Sequence, residues 1–232
     1  MALHMELGSN LAIQLHSTLG QQIVAGEFEG KTFPSEAVLA IRFDASRTVI
    51  REAMKMLTAR GLINARQRGN RLNPITDWNL LDPDVSHWLR QRPFSIEAYR
   101  EFIQMRLGIE PVAAGLTASL RDPVILEELT ISLEGLRTPV EDSPERLKLS
   151  IRFHQALLRG SRNLFFNRLT ELVATALHME TRILNATNNG LPFQEQIHAC
   201  ILHGDSAGAE AIMRELLRAN LRQAEDKNFD PG

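Results

Sequence analysis

Apolar positions along the first sixty residues recur with a helical period. Leu11, Leu15, Leu19 and Ile23 stand four apart and line one face of an amphipathic helix over residues 10–27, with Gly26 and Gly30 bracketing its end. Pro34 precedes SEAVLAIRF, a short helix with Ser35 as its N-cap. Asp44-Ala45-Ser46 makes a tight connection. Its Ser46 caps the next helix, RTVIREAMKMLTAR, which Gly61 closes at C′. That helix has an apolar face of Ile50, Ala53, Met54 and Leu57 and an opposite face of Arg47, Thr48, Arg51 and Lys55. LINARQ and RLNP then flank RGN, a candidate hairpin turn. Two short helices across a tight turn, followed by a hairpin, predict a winged helix-turn-helix over residues 10–74.

Residues 75–82 have turn chemistry and read as a linker, which Trp78, Leu80 and Leu81 pin to one of its neighbours. From 83 onward the period is helical throughout, over 83–91, 95–119, 123–137, 144–159, 163–187, 192–203 and 205–226. Asp122-Pro123 is an N-cap with Pro at N1, and Gly204-Asp205 is a C-cap followed by an N-cap. Pro111 falls inside the second segment and predicts a kink or break there. The expected fold is therefore mainly α: a winged helix-turn-helix with a small β-hairpin, then an all-α bundle over 83–228.

Composition is that of a globular chain: 232 residues, 44% hydrophobic and 23% charged. No apolar run reaches the roughly 18 residues a membrane helix needs, and no basic-then-apolar leader opens the chain. Cys200 is the one cysteine, which excludes an intrachain disulfide and a Cys-built zinc site and suits a reducing, cytoplasmic setting. Motifs for a serine nucleophile elbow, a zinc protease, a P-loop or a dinucleotide fold are lacking, so an enzyme is not expected.

Charge sharpens the picture. The net charge of −2 hides nine Lys/Arg against six Asp/Glu in residues 1–75, and seventeen against twenty-two in the rest. Residues 42–71 alone carry +6. A local basic patch on an acidic chain points to a polyanion, or to no more than a solvated face. A recognition helix sends its first turn toward base edges, and here that turn offers Ser46, Arg47 and Thr48, with Arg51 one turn on. Arginine pairs bidentately with guanine, and Ser or Thr reach phosphates or base edges. Arg66 and Arg68 fall on the wing, where Gly69 permits close backbone approach. The partner this implies is double-stranded operator DNA. The alternatives are a helical small-molecule binding protein or enzyme with an incidental basic patch, and a DNA-binding protein that senses no effector.

FPSEAVLAIRFDASRTVIREAMKMLTARGLI resembles the DNA-binding domain of GntR-superfamily regulators, over roughly residues 10–74. The all-helical remainder resembles the FCD domain of the FadR-like subfamily, and WNLLDPDVSHW is similar to the linker of sugar-acid (galactonate-type) repressors. The resemblance implies a homodimeric repressor whose C-terminal domain binds an effector. It carries DNA contacts onto Arg47, Thr48 and Arg51, with Arg68 and Gly69 at the wing tip. Ala37 departs from the pattern, since the subfamily often has Arg there.

The FCD resemblance further implies a divalent metal held by one Asp and three His. SIRFHQALL aligns, yet Ser150 stands where the Asp belongs, and only His154 matches. The other two His positions hold Gln194 and Leu216. Leu cannot ligate and Ser and Gln are weak neutral ligands, so no family-type metal, and no other cofactor, is expected. His178, His198 and His203 are the histidines from which a substitute site could be rebuilt. In the resembling family an Arg on the first long helix faces the effector, and Arg106 matches it, with Glu110 one turn on. Arg106 then offers a fork for a small carboxylate such as a sugar acid, with Ser150, His154, Gln194 and His198 lining the pocket, or else it pairs with Glu110 or another acid.

Overall fold

The computed structural model describes residues 2–64, 71–93, 95–138, 143–184 and 190–227. The chain divides into two compact units, Met1–Pro93 and Phe94–Gly232.

The first unit contains α1 (Ala2–Val24), α2 (Glu36–Arg42), α3 (Arg47–Ala59), β1 (Ile63–Asn64), β2 (Arg71–Leu72), a 3-10 turn at Ile75–Asp77, and α4 (Pro83–Leu89). β1 and β2 pair antiparallel, Ile63 opposite Leu72. α1 packs on α3 and α4, and α2 packs on α3. The expected apolar faces meet: Leu15, Leu19 and Ile23 of α1 and Ile50, Ala53, Met54 and Leu57 of α3 are all buried. Each large apolar side chain so buried contributes about 1.5–3 kcal/mol. Ser35 and Ser46 cap α2 and α3 as predicted, accepting from Val38 N and Val49 N. This is the winged helix-turn-helix the sequence predicts.

Gly61 ends α3 in a left-handed turn, φ +75°, with Leu62 N donating to Leu57 O at 3.1 Å. A Cβ at Gly61 would run into the Asp77 carbonyl oxygen, so the following segment passes directly over this turn. Asn73 Nδ2 donates to Gly61 O at 2.7 Å, Trp78 Nε1 to Asn73 O at 3.0 Å, and Asn79 N to Arg60 O at 2.9 Å. Arg60 pairs with Asp82 at 3.2 Å and Asp84 at 2.5 Å. The segment read as a linker is thus strapped to the end of α3.

α4 belongs to the same unit. Its Trp88 lies so close to α1 that a Cβ at Gly20 would meet the indole ring, and the His16 and Trp88 ring centroids are 5.1 Å apart. The packing divides after Pro93, and not at the expected 82/83 boundary, because Gly20 makes room for an indole 68 residues away.

The second unit is all helical in its described residues: α5 (Ile96–Leu120), α6 (Pro123–Arg137), α7 (Ser143–Gly160), α8 (Leu164–Asn167), α9 (Thr170–Leu184), α10 (Leu191–His203) and α11 (Ser206–Lys227). α5 is its axis: α7, α9, α10 and α11 all pack against it, and α6 pairs with α7. Ile103, Ala114, Ala118, Leu129, Phe153, Ile197, Met213 and Leu217 form the core. Asp122 and Asp205 cap their helices as predicted, Asp122 Oδ1 accepting from Val124 N and Asp205 Oδ1 from Gly208 N.

Two expectations are revised here. Of the kink or break predicted at Pro111, the break does not occur, and α5 continues through it. Proline lacks the N–H that would reach back one turn, but Pro111 is itself buried and Ile103, Ala113, Ala114 and Ala118 are buried around it, and that packing outweighs one lost bond. The segment expected as one helix over 163–187 is two, with α8 ending at Asn167 and α9 starting at Thr170. Arg168 N and Leu169 N donate to Phe165 O and Phe166 O, a tightened turn that stops α8. Among the described residues no helix is long and apolar enough to cross a membrane.

Candidate functional site

The outward side of α3 is built by its own capping and amphipathy. Ile50, Ala53, Met54 and Leu57 anchor one side in the core, which turns Ser46, Arg47, Thr48 and Arg51 outward, all exposed. Ser46 Oγ accepts from Val49 N at 3.3 Å, leaving its proton for an external acceptor. Among the described residues neither guanidinium has an ion-pair partner, whereas Lys55, farther along the same side, is held by Glu52 at 2.8 Å. Asp44, φ 48°, occupies the left-handed region that Asp tolerates better than most, and it sets the turn from α2 into α3. The free N–H groups of the first turn of α3 add partial positive charge beside Arg47. Arg66, Arg68 and Gly69 of the wing lie outside the described residues.

The second unit holds a buried ionic cluster on α5, α7 and α9. Arg106 is fully buried, as is Glu110 one turn along α5. Arg106 Nε donates to Glu110 Oε1 at 2.5 Å, Nη2 to Glu110 Oε2 at 3.4 Å, and Nη1 to Glu180 Oε2 of α9 at 2.9 Å. His154 Nδ1 of α7 lies 2.5 Å from Glu110 Oε2. Burial works to raise the Glu110 carboxyl, but Arg106 and His154 outweigh it and hold it at about 2. Glu110 is therefore ionised and accepts, so the His154 Nδ1 proton donates to it. The 3.5 Å approach of Arg106 Nη2 to the same Nδ1 is then proximity and not a hydrogen bond, since both are donors. Burial opposes the charge on Arg106 too, and the two carboxylates override it. Tyr99, also buried, brings its hydroxyl into this cluster without a partner in hydrogen-bonding geometry. Burial, then the Glu180 charge, pushes the phenol up.

The other predicted pocket residues fall into two further pairs. Gln194 Nε2 of α10 donates to Ser150 Oγ at 3.2 Å, one turn from His154 on α7. His198 Nε2 meets Thr130 Oγ1 of α6 at 2.9 Å. The Thr130 proton goes to Leu126 O, so His198 donates from Nε2. Burial, then Arg137, pushes His198 down and keeps it neutral. His198 faces α6 and does not join Gln194. His203 Nδ1 sits 2.7 Å from Ala199 O at the end of α10.

This donor set does not fit a divalent cation. Leu216 is a core residue with no lone pair to give. Ser150 and Gln194 hydrogen-bond each other, and His154 already faces Glu110. The positive charge of the cluster is a guanidinium. Among the described residues no three His, Cys, Asp or Glu side chains group as a metal would require.

Sequence reasoning placed Arg106 as a fork open to a ligand. The structure closes the fork on Glu110 and Glu180, the acidic-partner alternative. Glu110 was visible at i+4, but Glu180 is 74 residues away and only the packing of α9 on α5 brings it in. Tyr99 carried no signal beyond its place on the buried side of α5.

Comparison with known proteins returns two family matches: "FCD domain" over residues 101–219 and "Bacterial regulatory proteins, gntR family" over residues 11–70. An uncharacterised HTH-type transcriptional regulator of Escherichia coli (strain K12), YieP, is 30% identical over 217 residues, covering 90% of this chain and 94% of its own. The galactonate operon transcriptional repressor of the same organism is 27% identical over 216 residues, again covering 90% and 94%. A solved structure described with Lar, which controls the agr system of Listeria monocytogenes, superposes with a TM-score of 0.64 at 17% identity, over 93% of this chain and 96% of that one. At that identity it speaks for the fold alone.

Proposed function

From the premise that this chain belongs to the gntR family of bacterial regulatory proteins and carries an FCD domain, we propose that it represses transcription from an operator until a small carboxylate metabolite releases it. The matched domains and relatives are those of a transcriptional regulator and not of an enzyme. The observation that carries the reading is the outward side of α3. Arg47 and Arg51 stand exposed, without an ion-pair partner among the described residues, beside a helix N-terminus. Guanidinium groups so placed suit guanine O6 and N7 in a major groove, while Ser46 and Thr48 suit phosphates or base edges. Two copies, related by a two-fold axis, would set two α3 helices into half-sites about 34 Å apart. Such a dimer would work in the cytoplasm, where the chromosome is.

Support for the effector comes from the buried polar cluster, which a plain structural bundle does not need, and from the galactonate operon repressor among the relatives. The cluster supplies its own cation in Arg106, so we read the site as metal-free. Regulation needs a coupling of only about 1–3 kcal/mol between effector and operator. The test is direct. An operator is selected from a random duplex library, and sugar acids are then titrated into the complex. At least one is expected to weaken operator binding about 5–150-fold, with no change on adding a chelator. A chain that selects no preferred sequence would overturn the reading. Selection without any response would leave the effector-independent alternative in its place.

A further inference from the structure

We propose that Glu180 is a built-in occupant of the effector's carboxylate position, and that an organic acid binds by exchanging with it on Arg106. This rests on the regulator reading and specifies how its effector enters.

The two carboxylates that the described residues place on Arg106 are unlike. Glu110 comes from the same helix, is 0% exposed, holds Arg106 through both oxygens and is itself held by His154. It cannot leave without stranding two buried groups. Glu180 comes from α9, touches Arg106 by one bond of 2.9 Å at Nη1, and its side chain is 19% exposed. It is the carboxylate that solvent can reach. Among the described residues Arg106 and His154 both face Glu110, whereas Glu180 pairs with Arg106 alone. A ligand carboxylate taking its place leaves the charge of the site unchanged, whereas a cation would be repelled by Arg106 and a neutral acceptor would not replace the charge lost with Glu180. The Tyr99 hydroxyl is buried beside the Glu180 carboxylate and interacts with it outside full hydrogen-bonding geometry. A second acceptor oxygen on an incoming acid would satisfy that hydroxyl. Glu180 lies in the last turn and a half of α9, beside Met179 and Ile183 of the shared core, so its release removes one tie between that end of the helix and α5. Binding energy is thereby coupled to the packing of α9 on α5.

The experiment is chemical rescue. Glu180→Ala removes the occupant and leaves Nη1 facing a vacated carboxylate position. Sodium acetate, at ionic strength matched with sodium chloride, should raise the melting temperature of E180A by about 3 °C or more above its effect on the wild type. Equal responses of variant and wild type would overturn the proposal. Should E180A fail to fold, Glu180→Gln keeps the shape while weakening the internal competitor, and acetate must then stabilise it more than it does the wild type. An equal shift there overturns the proposal as well. DNA takes no part in this readout, so loss of rescue leaves operator binding standing, and loss of operator binding leaves the exchange at Arg106 standing.

Discussion

Arg106 and Arg47 are the same residue type set to opposite tasks by their surroundings. Arg106 sits in a dry interior where an unpaired guanidinium would cost several kcal/mol, so it collects carboxylates. Arg47 stays in water, where an idle charge costs little and remains available to a phosphate or a base. The Glu110 carboxyl gives this contrast a pH signature. Its folded value of about 2 lies below its ordinary 4.5, so its contribution to stability is fully present above about 4.5 and is lost as pH falls toward 2. Glu110→Gln is expected to cost about 3 kcal/mol or more at pH 6, because it leaves a buried cation short of charge. In urea unfolding, the gap between variant and wild type should narrow steadily from pH 4.5 to pH 2.5. A gap constant across that range would show that the depressed carboxyl is not Glu110. Legibility at this scale followed sequence distance. The Arg106–Glu110 pair is one helical turn and could be read, while the Glu180 bond spans 74 residues and could not.

Helix positions were legible from the local period, and what distant contacts decide was not: where α4 packs and how α5 passes Pro111. α3 has Ser46 at one end, Gly61 at the other and a clean apolar face between, all within sixteen residues. α4 owes its place to Gly20 of α1, and α5 crosses Pro111 because Pro111 and its neighbours Glu110, Ala113 and Ala114 are packed in the interior. The end of α3 is also where the segment read as a linker is fastened, so Gly61 serves two purposes. Gly61→Ala would force a left-handed backbone on alanine and drive its Cβ against the Asp77 carbonyl oxygen. A loss of about 1–3 kcal/mol is expected from the strain and overpacking together, measured by denaturant unfolding. A loss below about 0.5 kcal/mol, the size of an ordinary surface change, would mean the strap does not lie where it is described.

On the scale of the molecule, the charge asymmetry and the two units coincide. The basic stretch 42–71 lies wholly in the first unit, and the second, from Phe94 on, holds fifteen Lys/Arg against nineteen Asp/Glu. The first unit leaves Arg47 and Arg51 exposed, and the second buries Arg106 inside a helical bundle. The fold class was legible because each unit announces its period locally. The division between the units was not, since the strap at Gly61 and the indole of Trp88 extend the first unit to Pro93.

The central claim is that α3 reads duplex DNA through Arg47. Fluorescence anisotropy of wild type and Arg47→Ala, on the selected operator and on a random duplex across a salt series, tests it most directly. The account predicts a loss of about 1–3 kcal/mol on the operator, a much smaller loss on the random duplex, and binding that weakens with salt in both proteins. Equal operator affinity for the two proteins at every salt concentration would contradict it.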